Sequence, residues 1–407
     1  MSIIRWIGGA SSVAQIDDLT VGGTIEAGDE FKITVTGENG SSHTVQFDAT
    51  DTNIATVVAG LVAAWNADTD PLCTPITATD ASPIVRLSAD TAGVPFYVTV
   101  ETTESGGGAA DDQTFVRSSN TANSGPNDWN TAANWSGGAV PVADDDVHVE
   151  DAIVKYGMDQ DGITLDSLNI TGSQIGQAVE DGYLPAYLVI EPDVLNIGYD
   201  YGPGTKTQKV PILISTSDNN TLINVYNSTT NNDQPAVWLK TNHASQIINV
   251  YKGVVGVGWG DGETSTVGTI NILYTTNQNT DSKVYIGNGV TLSNLNVNGG
   301  SSTLLSAIGT AMVVNAGTIA YYSTDDTSGK TIASLTIKGG TFNATGPGII
   351  TALNVIAGTA DLSKFTGTVT TPKIAKGATV KYDIGNITLT NDWSAYDSSG
   401  VCTLKAL

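Results

Sequence analysis

Basic residues are scarce in this chain: 17 Lys and Arg stand against 41 Asp and Glu, a formal net charge of −24. A surface of that sign has no stripe of cations to displace counterions from phosphate, so no nucleic-acid partner is expected. Cysteine is scarcer still. Cys73 and Cys402 are too far apart in sequence to set up a disulfide framework or a zinc spacing, and two isolated thiols suit assembly in a reducing cytoplasm. The three histidines, His43, His148 and His243, are too dispersed to suggest a metal centre or a nucleophile triad. No apolar run approaches the ~20 residues that span a bilayer, so no membrane partner is expected. The opening Met-Ser-Ile-Ile-Arg-Trp-Ile-Gly-Gly lacks the apolar core of a secretory signal. The expected place of synthesis is therefore a host cytoplasm, with release by lysis or by a route that needs no signal peptide. A P-loop is missing, as is a GxGxxG at a strand–helix junction, and no cofactor is expected.

What fills the chain instead is Gly, Thr, Asn and Ser around a 40% apolar fraction, with only 14% charged residues. That composition is all-β and turn-rich, and too hydrophobic for disorder. A step recurs within it: an apolar β-branched residue followed three positions later by glycine. It appears at Ile286/Gly289, Val297/Gly300, Val314/Gly317, Ile337/Gly340, Val355/Gly358 and Ile374/Gly377, with successive glycines 11, 17, 23, 18 and 19 residues apart. After the first short gap this is about one coil of a parallel β-helix. The expected fold class is mainly β: an N-terminal small α+β domain, then a parallel β-helix with a C-terminal cap.

Charge is distributed unevenly. Residues 101–200 hold 18 acidic residues against Arg117 and Lys155 alone, while 327–382 carry Lys330, Lys338, Lys364, Lys373, Lys376 and Lys381 against Asp361. Such a gradient either keeps a rod soluble or orients a subunit on a partner.

Five segments are expected. Residues 1–15 read as an arm in which Ile3, Ile4, Trp6 and Ile7 are the candidate partner-docking residues, ahead of a Gly-Gly and Ser-Ser joint. An apolar arm of this kind docks on a neighbour or folds back on its own domain. Residues 16–118 read as a compact α+β anchoring domain of order β-β-α-β-β-β. Phe31, Ile33 and Val35 alternate with polar residues, and Val45 and Phe47 repeat the pattern. The helix is expected to be capped by Asp51 or Thr52, with Ile54, Val57, Val58, Leu61, Val62 and Trp65 on one face. The run Thr24–Val35 and the helix end Ala63-Ala64-Trp65-Asn66-Ala67 resemble a small module of tailed-bacteriophage head and tail proteins. The resemblance covers about a quarter of the chain and implies a virion component. Ser105–Gly108 and Ser118–Pro126 have the composition of a tether.

Residues 119–150 read as linker and β-helix cap. Asn127–Pro141, with Trp129, Trp135 and Pro141, is followed by Asp144-Asp145-Asp146. This stretch is similar to the tryptophan motif that precedes β-helices in bacterial surface and autotransporter-like proteins and in some phage proteins. The tryptophans would cover the open apolar end of the first coil; the alternative is carbohydrate stacking. The β-helix proper is expected over 151–383. Apolar-Asn-apolar triplets mark it at Asn169, Asn224, Asn249, Asn271 and Asn296. These asparagines either stack as an amide ladder or face solvent. Longer insertions are expected at 198–209 and 256–266, and 384–407 reads as an end cap.

Chemistry is thin. The glycan-contact candidates are Tyr199, Asp200 and Tyr201, and Trp259, Asp261 and Glu263, where aromatic rings neighbour acids. None sits in a catalytic motif, and a calcium loop is not formed by the Asp144–Asp146 run. No catalytic, cofactor-binding or metal-binding residue is assigned. The resulting expectation is a non-enzymatic virion structural protein of a tailed bacteriophage, located on the capsid surface or tail. Capsid decoration (cement) comes first, with the major capsid protein as partner and a homotrimer as the assembly. The alternatives are a tail fibre or tailspike component binding host glycans, and a bacterial surface adhesin or glycan-active β-helix protein.

Overall fold

A computed structural model describes the chain apart from residues 1, 38–40, 105–111, 158, 177–186, 199–207, 209–211, 217–220, 229–234, 261, 274–281, 323–329, 396–403 and 407; at 404–406 only the backbone is described. The fold is mainly β, with a small β-rich N-terminal domain carrying one helix and a parallel β-solenoid over residues 146–395.

The solenoid stack takes one further strand from far away in the sequence. Strand β1 (Ile3–Arg5) lies parallel to the strand Asp146–Glu150, with Ile3 opposite Asp146 and Arg5 opposite His148. That strand pairs in turn with Asp159–Thr171, which pairs with Leu188–Ile197, and the column continues strand on strand to Thr368–Ile374. A second column runs alongside it, from Ile153–Val154 to Thr379–Tyr382. The pleat sends alternate residues inward. Leu168, Leu195, Ile223, Ile248, Ile270 and Leu295 form one fully buried aliphatic stack, and Ile170, Ile197, Val225, Val250, Ile272 and Val297 form another two residues on. Each such side chain contributes on the order of 1.5–3 kcal/mol by leaving water.

The glycine step has a specific cause. Gly300, Gly317, Gly340, Gly358 and Gly377 adopt φ of +65° to +87° at successive equivalent corners. The corners stack: Thr318, Thr341, Thr359 and Thr379 each donate a backbone N–H to the glycine carbonyl one coil earlier, at 2.9–3.0 Å. A Cβ on Gly317 would lie 2.4 Å from the Gly300 carbonyl oxygen. Gly289 does not belong to this series. It opens the strand Gly289–Val297 at a different corner and has no left-handed φ, which explains the odd first spacing of 11 residues.

The N-terminal domain differs from the expected order in two strands. Strand β2 (Ile16–Gly23) precedes β3 (Glu30–Thr36), β4 (Ser42–Asp48) and helix α1 (Ile54–Ala67). Strands β5 (Ile76–Ala81), β6 (Ile84–Ala89), β7 (Tyr97–Thr103) and β8 (Gln113–Thr121) follow. They form two sheets, β5-β6-β2-β8 and β4-β3-β7. Helix α1 buries Val57, Val58, Leu61 and Trp65, and its cap is Asn53, whose side chain accepts from the Ala55 N–H at 2.9 Å. Asp51 sits two positions before that cap, where it accepts from the Asn53 N–H and the Thr56 hydroxyl. Strand β2 evades the alternation rule because it carries Asp17 and Asp18, both buried. Arg117 holds Asp17 at 2.7 Å, and Arg86 holds Asp18 through two bonds of 2.7 and 3.0 Å.

The expected tether at 118–126 is also corrected. Residues up to Thr121 belong to β8, paired antiparallel to β2. Beyond it, Ser124 bridges Val13, and its hydroxyl donates to the Ser11 carbonyl at 3.1 Å. The chain therefore leaves the solenoid cap and returns to it through two adjacent strands, so the domain is an insertion between the solenoid's first and second strands. The other tether segment, 105–108, lies outside the described residues.

Candidate functional site

The solenoid's closed end is the most elaborate site. Trp129 and Trp135 are fully buried with ring centroids 4.7 Å apart, and Trp6 completes the group at 4.8 Å from Trp135 and 6.5 Å from Trp129. The Trp135 indole N–H donates to the Trp129 carbonyl at 2.8 Å. Asn134, also buried, donates to the carbonyls of Gly125 and Asp128 and accepts from the Ala10 N–H. Pro141 is buried as well. These rings face the apolar core, an arrangement that leaves Trp129 and Trp135 no exposed face for a sugar. Of the arm residues, Ile4 and Trp6 pack on the same core, and Trp6 donates its backbone N–H to the His148 carbonyl at 2.9 Å. Within the chain the apolar start of the arm is thus engaged by the solenoid, while its far end bonds the small domain, Gly93 donating to the Val13 carbonyl at 3.1 Å and Ala89 to the Gln15 carbonyl at 2.9 Å. Ile3 and Ile7 are about 60% exposed and keep outward faces.

The acidic run at 144–146 does not converge. Asp144 has φ +66°, Asp145 accepts from the Val142 N–H, and Asp146 turns to the next coil. There Asp146 accepts from the Ser167 hydroxyl, from Asn169 Nδ2 at 2.8 Å and from the His148 ring at 3.1 Å. Burial alone would raise the Asp146 carboxyl; the bonds from Ser167, His148 and Asn169 outweigh it and hold the pKa below the usual carboxylate range.

Asp146 also starts a ladder. Asn169 accepts from Asn196 Nδ2, Asn196 from Asn224, Asn224 from Asn249, Asn249 from Asn271 and Asn271 from Asn296, at 2.8–3.1 Å. Strands ~4.8 Å apart bring like amides to this distance when their rotamers repeat. Every amide donates toward the N-terminal end, where an acceptor-only carboxylate receives the last bond. The column faces outward between the two inward stacks, buried at Asn169 and Asn224 and half-buried at the other four. It stops where Val313 succeeds Asn296. Sequence reading missed Asn196, although Leu195-Asn196-Ile197 is the same triplet.

Of the glycan-contact candidates, Tyr199, Asp200, Tyr201 and Asp261 lie outside the described residues. Glu263 is buried, accepting from the Tyr187 hydroxyl at 2.6 Å and the Gly260 N–H at 3.2 Å, so it ties a turn together. Burial, then this bond and the carboxylate charge, push the Tyr187 hydroxyl upward. Trp259 is half-buried with its ring 4.9 Å from Tyr285. Because Val254–Val257 and Thr264–Ile272 are strands, the expected insertion at 256–266 is a short turn.

A further cluster lies in the N-terminal domain, where no spacing rule pointed. His43 on β4 places Nε2 2.8 Å from Asp68 Oδ2 and Nδ1 3.4 Å from Asp70 Oδ2. Cys73 is buried next to them, and its thiol is pushed up to about 12 by burial and by the charges of Asp68 and Asp70. Nearby, Val35, Pro71, Leu72, Val94, Phe96 and Tyr97 line an apolar groove of about 680 Å³.

Among the described residues, no helix is long and apolar enough to cross a membrane. No protein-family model matches the chain, and neither a curated protein nor a solved structure matches it. The family resemblances drawn from sequence therefore stand as proposals, and what the structure establishes is a parallel β-solenoid carrying an inserted small domain at its closed end.

Proposed function

We propose that this chain is a non-enzymatic structural protein of a tailed-bacteriophage virion, and within that class a capsid decoration (cement) protein. The observation that carries the reading is the insertion. A compact domain held by two paired strands at one end of a stiff rod is an anchor with a projection. The arm is engaged by the solenoid, so docking on the major capsid protein falls to the inserted domain. The groove where this domain meets the solenoid, with Val94 and Tyr97 exposed and Tyr156 of the cap in its wall, is the apolar surface available for that contact. A homotrimer belongs to the same reading, with half-buried Trp238 and the stacked pair Tyr226–Tyr251 on the rod's flank as candidate intersubunit surface.

The test is quantitative mass spectrometry of purified virions with cryo-electron microscopy of the same particles. Copies in the hundreds over the shell, joined through the inserted domain, are expected. A few copies at the tail would move the protein to the fibre class, and absence from particles would end the virion reading.

One observation favours a tail fibre or tailspike that binds host glycans as the second reading: the Trp259–Tyr285 pair beside the Trp238 column. Saturable oligosaccharide binding by the purified chain, lost in Trp259→Ala with the fold intact, would support it. An adhesin is also compatible with the solenoid.

A further inference from the structure

The inserted domain holds a donor set independent of how the rod is used. His43 comes from β4, Asp68 is the C-cap of α1, and Cys73 lies in the loop to β5. One donor atom from each lies within 4.8 Å of the other two, and this is the only such His/Cys/carboxylate group among the described residues.

We propose that His43 Nε2, Asp68 Oδ2 and the Cys73 thiolate bind a zinc-type transition-metal ion, with a fourth position open to water or a partner's donor. A tetrahedral zinc site with ordinary Zn–S, Zn–N and Zn–O bonds has ligand–ligand edges of roughly 3.4–3.6 Å. The three atoms therefore need shifts of an ångström or less, including a slight opening of the His43–Asp68 contact. Sulfur and imidazole select zinc or cobalt over calcium and magnesium, which take oxygen ligands.

The surroundings are arranged for this role. Asp70 Oδ2 faces the other ring nitrogen of His43, the outer-shell carboxylate that orients a metal-bound imidazole. The Asp68 oxygen not facing His43 accepts from the Asp70 N–H at 2.8 Å, and Asp70 Oδ1 accepts from the Leu72 N–H at 2.9 Å. Both carboxylates are thus fixed by backbone while one oxygen of each stays directed at the ring. A plain His43–Asp68 ion pair accounts for two of these groups. It does not account for a buried thiol set against two carboxylates. On binding, Cys73 releases its S–H proton to solvent, His43 keeps Nδ1–H toward Asp70, and the divalent charge balances the thiolate and the Asp68 carboxylate. The ion would then staple β4, the end of α1 and the loop to β5.

The experiment uses the full chain, reduced and stripped with chelator, titrated with Co²⁺ alone and then with Zn²⁺. Expected are a thiolate-to-cobalt charge-transfer band saturating at one ion per chain, its displacement by Zn²⁺, and a rise in melting temperature with Zn²⁺. Cys402→Ser keeps the band and Cys73→Ser loses it. Asp70→Asn keeps it with affinity weakened about 10–100-fold. Asp68→Asn, which retains the oxygen that accepts from Asp70, tests the site should Cys73→Ser misfold by circular dichroism; it is expected to weaken binding sharply. Absence of a saturable band in the unmutated chain, or an undiminished band in Cys73→Ser or Asp68→Asn, overturns the proposal.

Discussion

Replacing Asn249 by alanine tests whether the asparagine column stabilises the rod or merely decorates it. Asn249 donates to Asn224 Oδ1 at 3.0 Å and accepts from Asn271 Nδ2 at 2.8 Å, so Asn249→Ala removes two amide bonds, leaving Asn224 only its bond to Asn196 and Asn271 only its bond from Asn296 within the ladder. At roughly 0.5–1.5 kcal/mol net per bond the cost is about 1–3 kcal/mol. Half-burial lets water replace part of what is lost, which places the expected value in the lower half of that range. The control is Asn315→Ala, which removes one exposed bond to Asn298 and is expected to cost no more than about 0.5 kcal/mol. The assay is urea unfolding read by hydrogen exchange on the peptides containing Ile247–Val250 and Thr269–Ile272, because a repeat rod opens locally. A double-mutant cycle of Asn249 and Asn271 should show a coupling of about 0.5–1.5 kcal/mol. Asn169 and Asn296, at opposite ends of the column, should be additive within about 0.5 kcal/mol. If Asn249→Ala is no more destabilising than Asn315→Ala, the ladder contributes nothing and the reasoning fails.

The closed end should be acid-sensitive. The Asp146 pKa is depressed in the fold, so its stabilisation is complete above the unfolded carboxyl value of 3.8 and is lost as pH falls through the lower folded value. Urea midpoints of the native chain should drop over that window, and those of Asp146→Asn should drop less. Trp129→Ala should cost about 3–5 kcal/mol at the cap and raise aggregation in light scattering, since it opens a core end covered by rings packed edge-on and tilted. Gly317→Ala puts a Cβ into the Gly300 carbonyl at φ +83°, and should destabilise by more than ~1 kcal/mol in thermal unfolding, whereas alanine at Gly309, where φ is not left-handed and the nearest atom is 3.6 Å away, should be tolerated.

The solenoid was legible because its signals are local. A left-handed corner needs glycine, and a coil of 17–28 residues returns like residues to like positions, so Gly300–Gly377 and the Leu-Asn-Ile triplets announce themselves. The insertion was not legible. Strand β1 has three residues and pairs with a strand more than 140 positions away, a contact no window along the chain can register. Strand β2 hides behind Asp17 and Asp18, which read as surface until Arg86 and Arg117 are seen to neutralise them. Strand β8 ends in Ser118-Ser119-Asn120-Thr121, a linker composition that edge pairing with β2 overrides. The His43 cluster escaped for a similar reason. Its donors come from a strand, a helix cap and a loop, so their spacing follows the domain's topology and no metal motif.

The central structural claim is that residues 3–6 are the first rung of the solenoid, which makes the domain an insertion. Hydrogen exchange of the Trp6 amide, bonded to the His148 carbonyl, tests this most directly. Protection matching that of Val147–Val149 in the neighbouring strand is predicted. Exchange at the rate of an unstructured peptide would show a free arm and contradict the account.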